Sequence, residues 1–154
     1  MSEADGPIDA PGRDWLTPGA LLLAPPVAWA LANAGFGLPV TAPVNDLAWL
    51  ALGAVAEEVV FRGGLQRWAL DRPALALRHA GLSRANLLAS AAFAAVHLVN
   101  HTPLVALGVL PVSLLLGAVY ERSGRLRTPI ALHLWFNGCL YAATVAPFAA
   151  ATTG

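Results

Sequence analysis

The sequence predicts an all-α fold: a polytopic transmembrane helix bundle of about five spans, folded as a single domain. Three observations carry this expectation. Of 154 residues, 57% are hydrophobic and only 12% are charged, where soluble domains carry about 25% charged residues. Mean hydropathy is +0.62, and all nine cations are arginine, with no lysine. The apolar residues fall into five segments of about 17–24 residues, enough to cross roughly 30 Å of hydrocarbon at 1.5 Å per residue. The same composition excludes other classes. High hydrophobicity and zero net charge exclude a disordered chain. The single Cys139 excludes a disulfide scaffold. A pI near 6.9 without a basic stripe argues against nucleic-acid binding.

Residues 1–14 are polar, acidic and rich in Gly and Pro, and read as a disordered arm. They lack the positive n-region of a secretory signal. Residues 15–150 hold the apolar core. The first segment, Trp15 to Leu38, contains Pro25-Pro26 and should kink. The second runs from Leu47 to Leu65, with Asp46 as N-cap and Trp49 as an interfacial aromatic. The third runs from Ser83, its N-cap, to Asn100. The fourth runs from Leu104 to Tyr120. The fifth begins at Thr128-Pro129, a tolerated first-turn proline, and ends near Phe148. Gly and Ala recur throughout, which permits close helix contact. No internal repeat or linker divides the chain.

With five crossings, every arginine falls on the side of the N-terminus: Arg13, Arg62, the loop with Arg67, Arg72, Arg78 and Arg84, and the loop with Arg122, Arg125 and Arg127. The positive-inside rule makes that side cytoplasmic and places the C-terminus outside. A four-span alternative, in which the Pro-broken first segment does not cross, reverses the N-terminus.

The informative residues are the polar ones inside spans, because an ionisable group near a helix centre costs about 2.5–3.5 kcal/mol on insertion scales. Glu58 and Arg62 stand at i and i+4 with the acid first, the favourable order for an ion pair. Glu57 has no local cation and lies beside a like charge, so it is the less satisfied carboxylate and the better proton acceptor. A purely structural ion pair is the competing reading. His97 follows Phe93 by four residues, so the ring can fix the imidazole. His133 and Asn137 repeat that spacing, setting a proton carrier beside a neutral donor able to stabilise an oxyanion. Each pair alone would more often be structural. At 1.5 Å per residue, Glu57, His97, His133 and Asn137 lie roughly 15, 20, 9 and 15 Å from the arginine-bearing side, which permits one cluster. His101 reads as interfacial, His79 as solvated, and Cys139 as packed in its helix. Ser113 is a lone hydroxyl in an apolar span, without a Gly-x-Ser-x-Gly setting.

In that order, Glu57-Glu58-x-x-x-Arg62, Phe93-x-x-x-His97 and His133-x-x-x-Asn137 resemble the three-motif signature of the CPBP intramembrane proteases, which include the type II CAAX prenyl endopeptidases and the bacterial Abi-type proteins. The approach Gly117-Ala118-Val119-Tyr120 to Thr128-Pro129-Ile130 is similar too, and the match runs from about Leu47 to Tyr141. The resemblance implies a helical bundle with a water-filled cavity. It implies Glu57 as the carboxylate that activates water, Glu58 as its companion, Arg62 and Phe93 as supporting motif residues, His97 and His133 as the histidines that bind or polarise the water, and Asn137 as the oxyanion donor. It leaves a metal open: Glu57, His97 and His133 would also satisfy a catalytic zinc with an open water position.

The function so implied is an endopeptidase acting within the membrane on a membrane-embedded or lipid-anchored protein or peptide, near a C-terminal processing or sorting signal as in small bacterial members. The cytoplasmic membrane of a bacterium is the expected location, with the lipid bilayer as partner and no nucleic acid. The alternatives are a non-catalytic membrane binding or immunity protein on the same fold, and a small transporter using Glu57, His97 and His133 as a proton relay.

Overall fold

The apolar runs of the sequence become helices, and the one departure from α geometry falls on the polar run. A computed structural model describes residues 47–151, with side chains as far as Ala142, together with Ala20 and Leu23. The N-terminal arm, the segment from Trp15 to Leu38 and the Asp46 cap lie essentially outside the described residues. Helix α1 (Leu47–Glu58) continues without a break into a π-helical segment (Val59–Gln66) and a short α2 (Arg67–Leu70). A single turn of helix, α3 (Pro73–Ala76), leads to an antiparallel hairpin, β1 (Arg78–His79) with β2 (Leu82–Ser83). Helices α4 (Arg84–His97), α5 (Pro103–Ser123) and α6 (Arg127–Ala151) follow.

Local chemistry sets these boundaries. Ser83 caps α4, its Oγ accepting from the Asn86 N–H at 2.9 Å. Thr102 caps α5 by accepting from the Val105 N–H, and Pro103 occupies the first helical position. Gly124, at φ 61°, ends α5 in the left-handed conformation, its N–H donating to the Tyr120 carbonyl. The hairpin turn places Ala80 at φ 50° and Gly81 at φ 84°, the two positive angles that a two-residue type I′ loop requires.

Helix α1 packs on α6, α4 on α5, and α5 on α6, while the π segment lies against α4 and α5. The apolar core is small: Leu116, Val119 and Leu132, flanked by Val112 and Phe136. Small residues line the other contacts, among them Ala54, Ala85, Ala89, Ala106 and Gly117. At Gly117 the approach is so close that a Cβ would meet the Asn86 Oδ1 at 2.0 Å.

Polarity is inverted relative to a water-soluble globule. Glu58, Arg62, Gln66, Asn86, Ser90, Ser113 and His133 are buried, while Trp49, Leu52, Val60, Val99, Leu104 and Leu107 stand on the outside. Apolar exteriors of this extent mark a surface that meets lipid or protein. The five-span expectation is not confirmed by helix length and hydropathy. Among the described residues, α5 alone, with 21 residues, is long and apolar enough to cross a membrane by itself. Helix α4 has 14 residues, which reach about 21 Å, short of the roughly 30 Å hydrocarbon core. The run through α1 and the π segment is interrupted by Glu57, Glu58 and Arg62.

The π segment has a readable purpose. Ala54, Glu58, Arg62 and Gln66 are all buried, at intervals of four. In an α-helix every fourth residue drifts by about 40° around the axis, so such a stripe would rotate off its partner. The wider π turn takes up the drift and keeps Glu58, Arg62 and Gln66 aimed at α5 and its neighbours.

Candidate active site

Three side chains of one helical run and one of α6 form the polar centre. Glu58 ends α1 and is fully buried. Its Oε1 accepts from the Nδ1 of His133 at 2.9 Å, and its Oε2 lies 3.3 Å from the Nε of Arg62. A carboxylate paired with a guanidinium only accepts, so His133 carries its proton on Nδ1 and turns Nε2 toward Glu57. That Nε2 lies 3.7 Å from the Glu57 Oε2. The gap is too long for a direct hydrogen bond and suits a bridging water. Glu57 is 37% exposed where Glu58 is sealed, so one carboxylate of the adjacent pair can be reached and the other cannot.

Arg62 is held from the opposite side by α5. Its Nη2 donates to the Ser113 carbonyl at 2.8 Å and to the Ser113 Oγ at 3.0 Å. The guanidinium also sits 5.2 Å from the Phe93 ring centre, within cation–π range. Phe93 is buried and central: its ring lies 4.4 Å from His97, 5.1 Å from Phe61 and 6.3 Å from His133. The Nδ1 of His97 donates to the Phe93 carbonyl at 2.8 Å. That fixes the tautomer and leaves Nε2 as acceptor. His101 stacks on His97, with ring centres 5.7 Å apart.

The structure thus joins Glu58, Arg62 and His133 by direct polar contact, sets Glu57 3.7 Å from the His133 Nε2, and ties His97 to the group through Phe93. Asn137, one turn along α6 from His133, donates from Nδ2 to the Leu50 carbonyl at 3.4 Å, so it faces α1, the helix that carries Glu57. Glu57 and His133 offer two donors for a metal. Among the described residues, no group of three His, Cys, Asp or Glu is gathered to hold one.

Several polar residues of the centre went unmarked in the sequence. Ser113 is no lone hydroxyl, since it anchors Arg62. Gln66 donates to the Gly117 carbonyl at 3.1 Å and to the Glu121 Oε1 at 2.8 Å. Glu121 also accepts from the Ser83 hydroxyl and from Arg78. Asn86 donates to the Leu114 carbonyl and accepts from the Ser90 hydroxyl. The available signal was the matched spacing of four in Glu58-Arg62-Gln66 and Ser113-Gly117-Glu121, two ladders that face each other.

A carboxylate–imidazole centre inside a helical bundle with an apolar exterior defines the class by fold and site: an all-helical protein with a buried polar centre. The family model of the type II CAAX prenyl endopeptidase Rce1-like proteins matches residues 39–139, and the chain belongs to that family. The match covers all three motifs, and the resemblance to the CPBP proteases stands. No curated protein and no solved structure matches the chain. The family is membrane-integral, and it makes this chain a peptidase by class.

Proposed function

We propose that this protein is an intramembrane endopeptidase that cleaves a membrane-embedded or lipid-anchored protein or peptide. Glu57 is the base. A water molecule between its carboxylate and the Nε2 of His133 gives a proton to Glu57 while its oxygen attacks the scissile carbonyl carbon. The oxyanion is met by Asn137, whose amide has two N–H donors and spends one on Leu50. His97 helps to hold the water. The tetrahedral intermediate then expels the amine, which takes the proton back from Glu57, leaving a free carboxylic acid and a free amine. Glu58, held by Arg62, keeps His133 in one tautomer, as a buried carboxylate does for a catalytic histidine.

One observation carries this reading: His133 lies between two adjacent glutamates, bonded to the sealed Glu58 and facing the accessible Glu57 across 3.7 Å. The five spans, with the arginine-bearing ends in the cytoplasm and the C-terminus outside, belong to the same proposal, as does the cytoplasmic membrane of a bacterium. The test is terminal mapping by mass spectrometry of membrane proteins from cells that carry the wild type or Glu57→Gln. New carboxyl or amino termini present only with the wild type are the expected result. Identical termini in both overturn the reading.

A further inference from the structure

One turn beyond the ion pair lies a matched donor and acceptor that the protein itself leaves open. Arg62 has five N–H donors. Its Nη2 serves Ser113 and its Nε faces Glu58. Its Nη1 is buried with no hydrogen-bond partner, and so is the Oε1 of Gln66. The orientation of that amide is fixed by its other end. Nε2 donates to the Gly117 carbonyl and the Glu121 carboxylate, and a flipped amide would set an oxygen against both of these acceptors. The unmatched atom of Gln66 is therefore an acceptor, and the unmatched atom of Arg62 is a donor. Both residues lie on the same buried stripe, four positions apart, and both are 0–1% exposed.

A buried donor or acceptor without a partner costs about 1–3 kcal/mol, and more where it is charged. A water molecule removes both costs together, because it accepts and donates at once, and buried waters typically bridge such groups. We propose that Arg62 and Gln66 hold an ordered water molecule, which accepts from Nη1 and donates to Oε1. That water closes the gap between two otherwise separate networks: Glu57–His133–Glu58–Arg62–Ser113 on one side, and Gln66–Glu121–Ser83–Arg78 on the other. Gln66 then positions Arg62, and through it Glu58 and His133. This consequence rests on the catalytic reading above. The water site itself does not.

Water-to-protein polarisation transfer in solid-state NMR tests it, with the full chain in phosphatidylcholine–phosphatidylglycerol vesicles. The dipeptide Phe-Arg occurs once, at Phe61-Arg62, so ¹³C′-Phe and ¹⁵N-Arg labelling singles out the residue. The expected result is fast transfer from water to the Arg62 guanidinium despite its burial, slowed by about threefold or more in Gln66→Leu, which removes one of the water's two anchors. A guanidinium that receives no polarisation in the wild type overturns the proposal. So does an unchanged rate in Gln66→Leu. If that variant fails to fold, a wild-type map fine enough to show solvent decides: density between the two side chains supports the site, and their direct contact overturns it. Neither readout depends on cleavage, so an inactive protein with a wet Arg62 would sink the protease reading and leave the water.

Discussion

Glu58 and Glu121 are both sealed from solvent, and both stand beside an arginine, yet they are bound in different ways. Glu121 receives donors from three elements other than its own helix: Gln66 of the π segment, Ser83 at the head of α4 and Arg78 of the hairpin. Glu58 receives one well-aligned bond, from His133, and its other oxygen meets Arg62 only as an ion pair at 3.3 Å, without a hydrogen bond of good geometry. The compensating charge differs too. Arg78 is half exposed and can be hydrated, whereas Arg62 is buried. A carboxylate saturated by donors from all sides is a fastener. One that leaves a histidine facing outward to an accessible neighbour has chemistry to do. Sequence proximity does not separate the two; the origin of their partners does.

The comparison breaks first at Glu57. Glu57→Gln keeps the shape and removes the base, so cleavage rates should fall by about 10²–10⁴, while the unfolding midpoint in detergent stays within a degree or so of wild type. Near-wild-type turnover would put the chemistry elsewhere. On the fastening side the effects are reversed. Glu121→Ala leaves Gln66 and Ser83 without their acceptor, and should cost about 3 kcal/mol in a denaturation series. Loss of activity without loss of stability in this variant would erase the distinction. Ser113→Ala removes one of two acceptors for Arg62 and keeps the carbonyl. It should cost about 1 kcal/mol and lower turnover less than Glu57→Gln does. Smallest is Ala80→Asn. An Asn-Gly pair suits the positive angles of the hairpin turn, so this variant should gain about 0.5 kcal/mol and leave cleavage unchanged.

Much of this is legible in the sequence alone. Apolar runs with Ser83 as cap and Pro129 in a first turn gave four of the predicted segments as helices near their expected places. Motifs spaced at four residues put Arg62, His97 and His133 around one aromatic ring, that of Phe93. The legible part is local: periodicity, caps and i,i+4 pairs depend on neighbours in the chain. The illegible part is not. Gln66 and Ser83 meet Glu121 across 55 and 38 residues, and no pattern within either segment announces it. Ser113 looked isolated because its partner lies on another helix. Hydropathy alone does not count the spans, for a related reason. Hydropathy sums residues along a segment, while crossing depends on whether charges such as Glu58 and Arg62 find partners inside the bundle. The π geometry was invisible because apolar residues occupy both the exposed and the half-buried sides of that run.

The widened turns between Val59 and Gln66 also fix a phase. The helix above them and the loop below them are set relative to one another by the residues those turns absorb. Were the same eight residues wound as an ordinary α-helix, at 100° each, they would turn everything upstream by on the order of 100°. Such a chain could remain fully helical and still insert, with both glutamates swung out of register against α6. In this protein, the winding of an eight-residue stretch is as much a specification as the identity of any side chain within it.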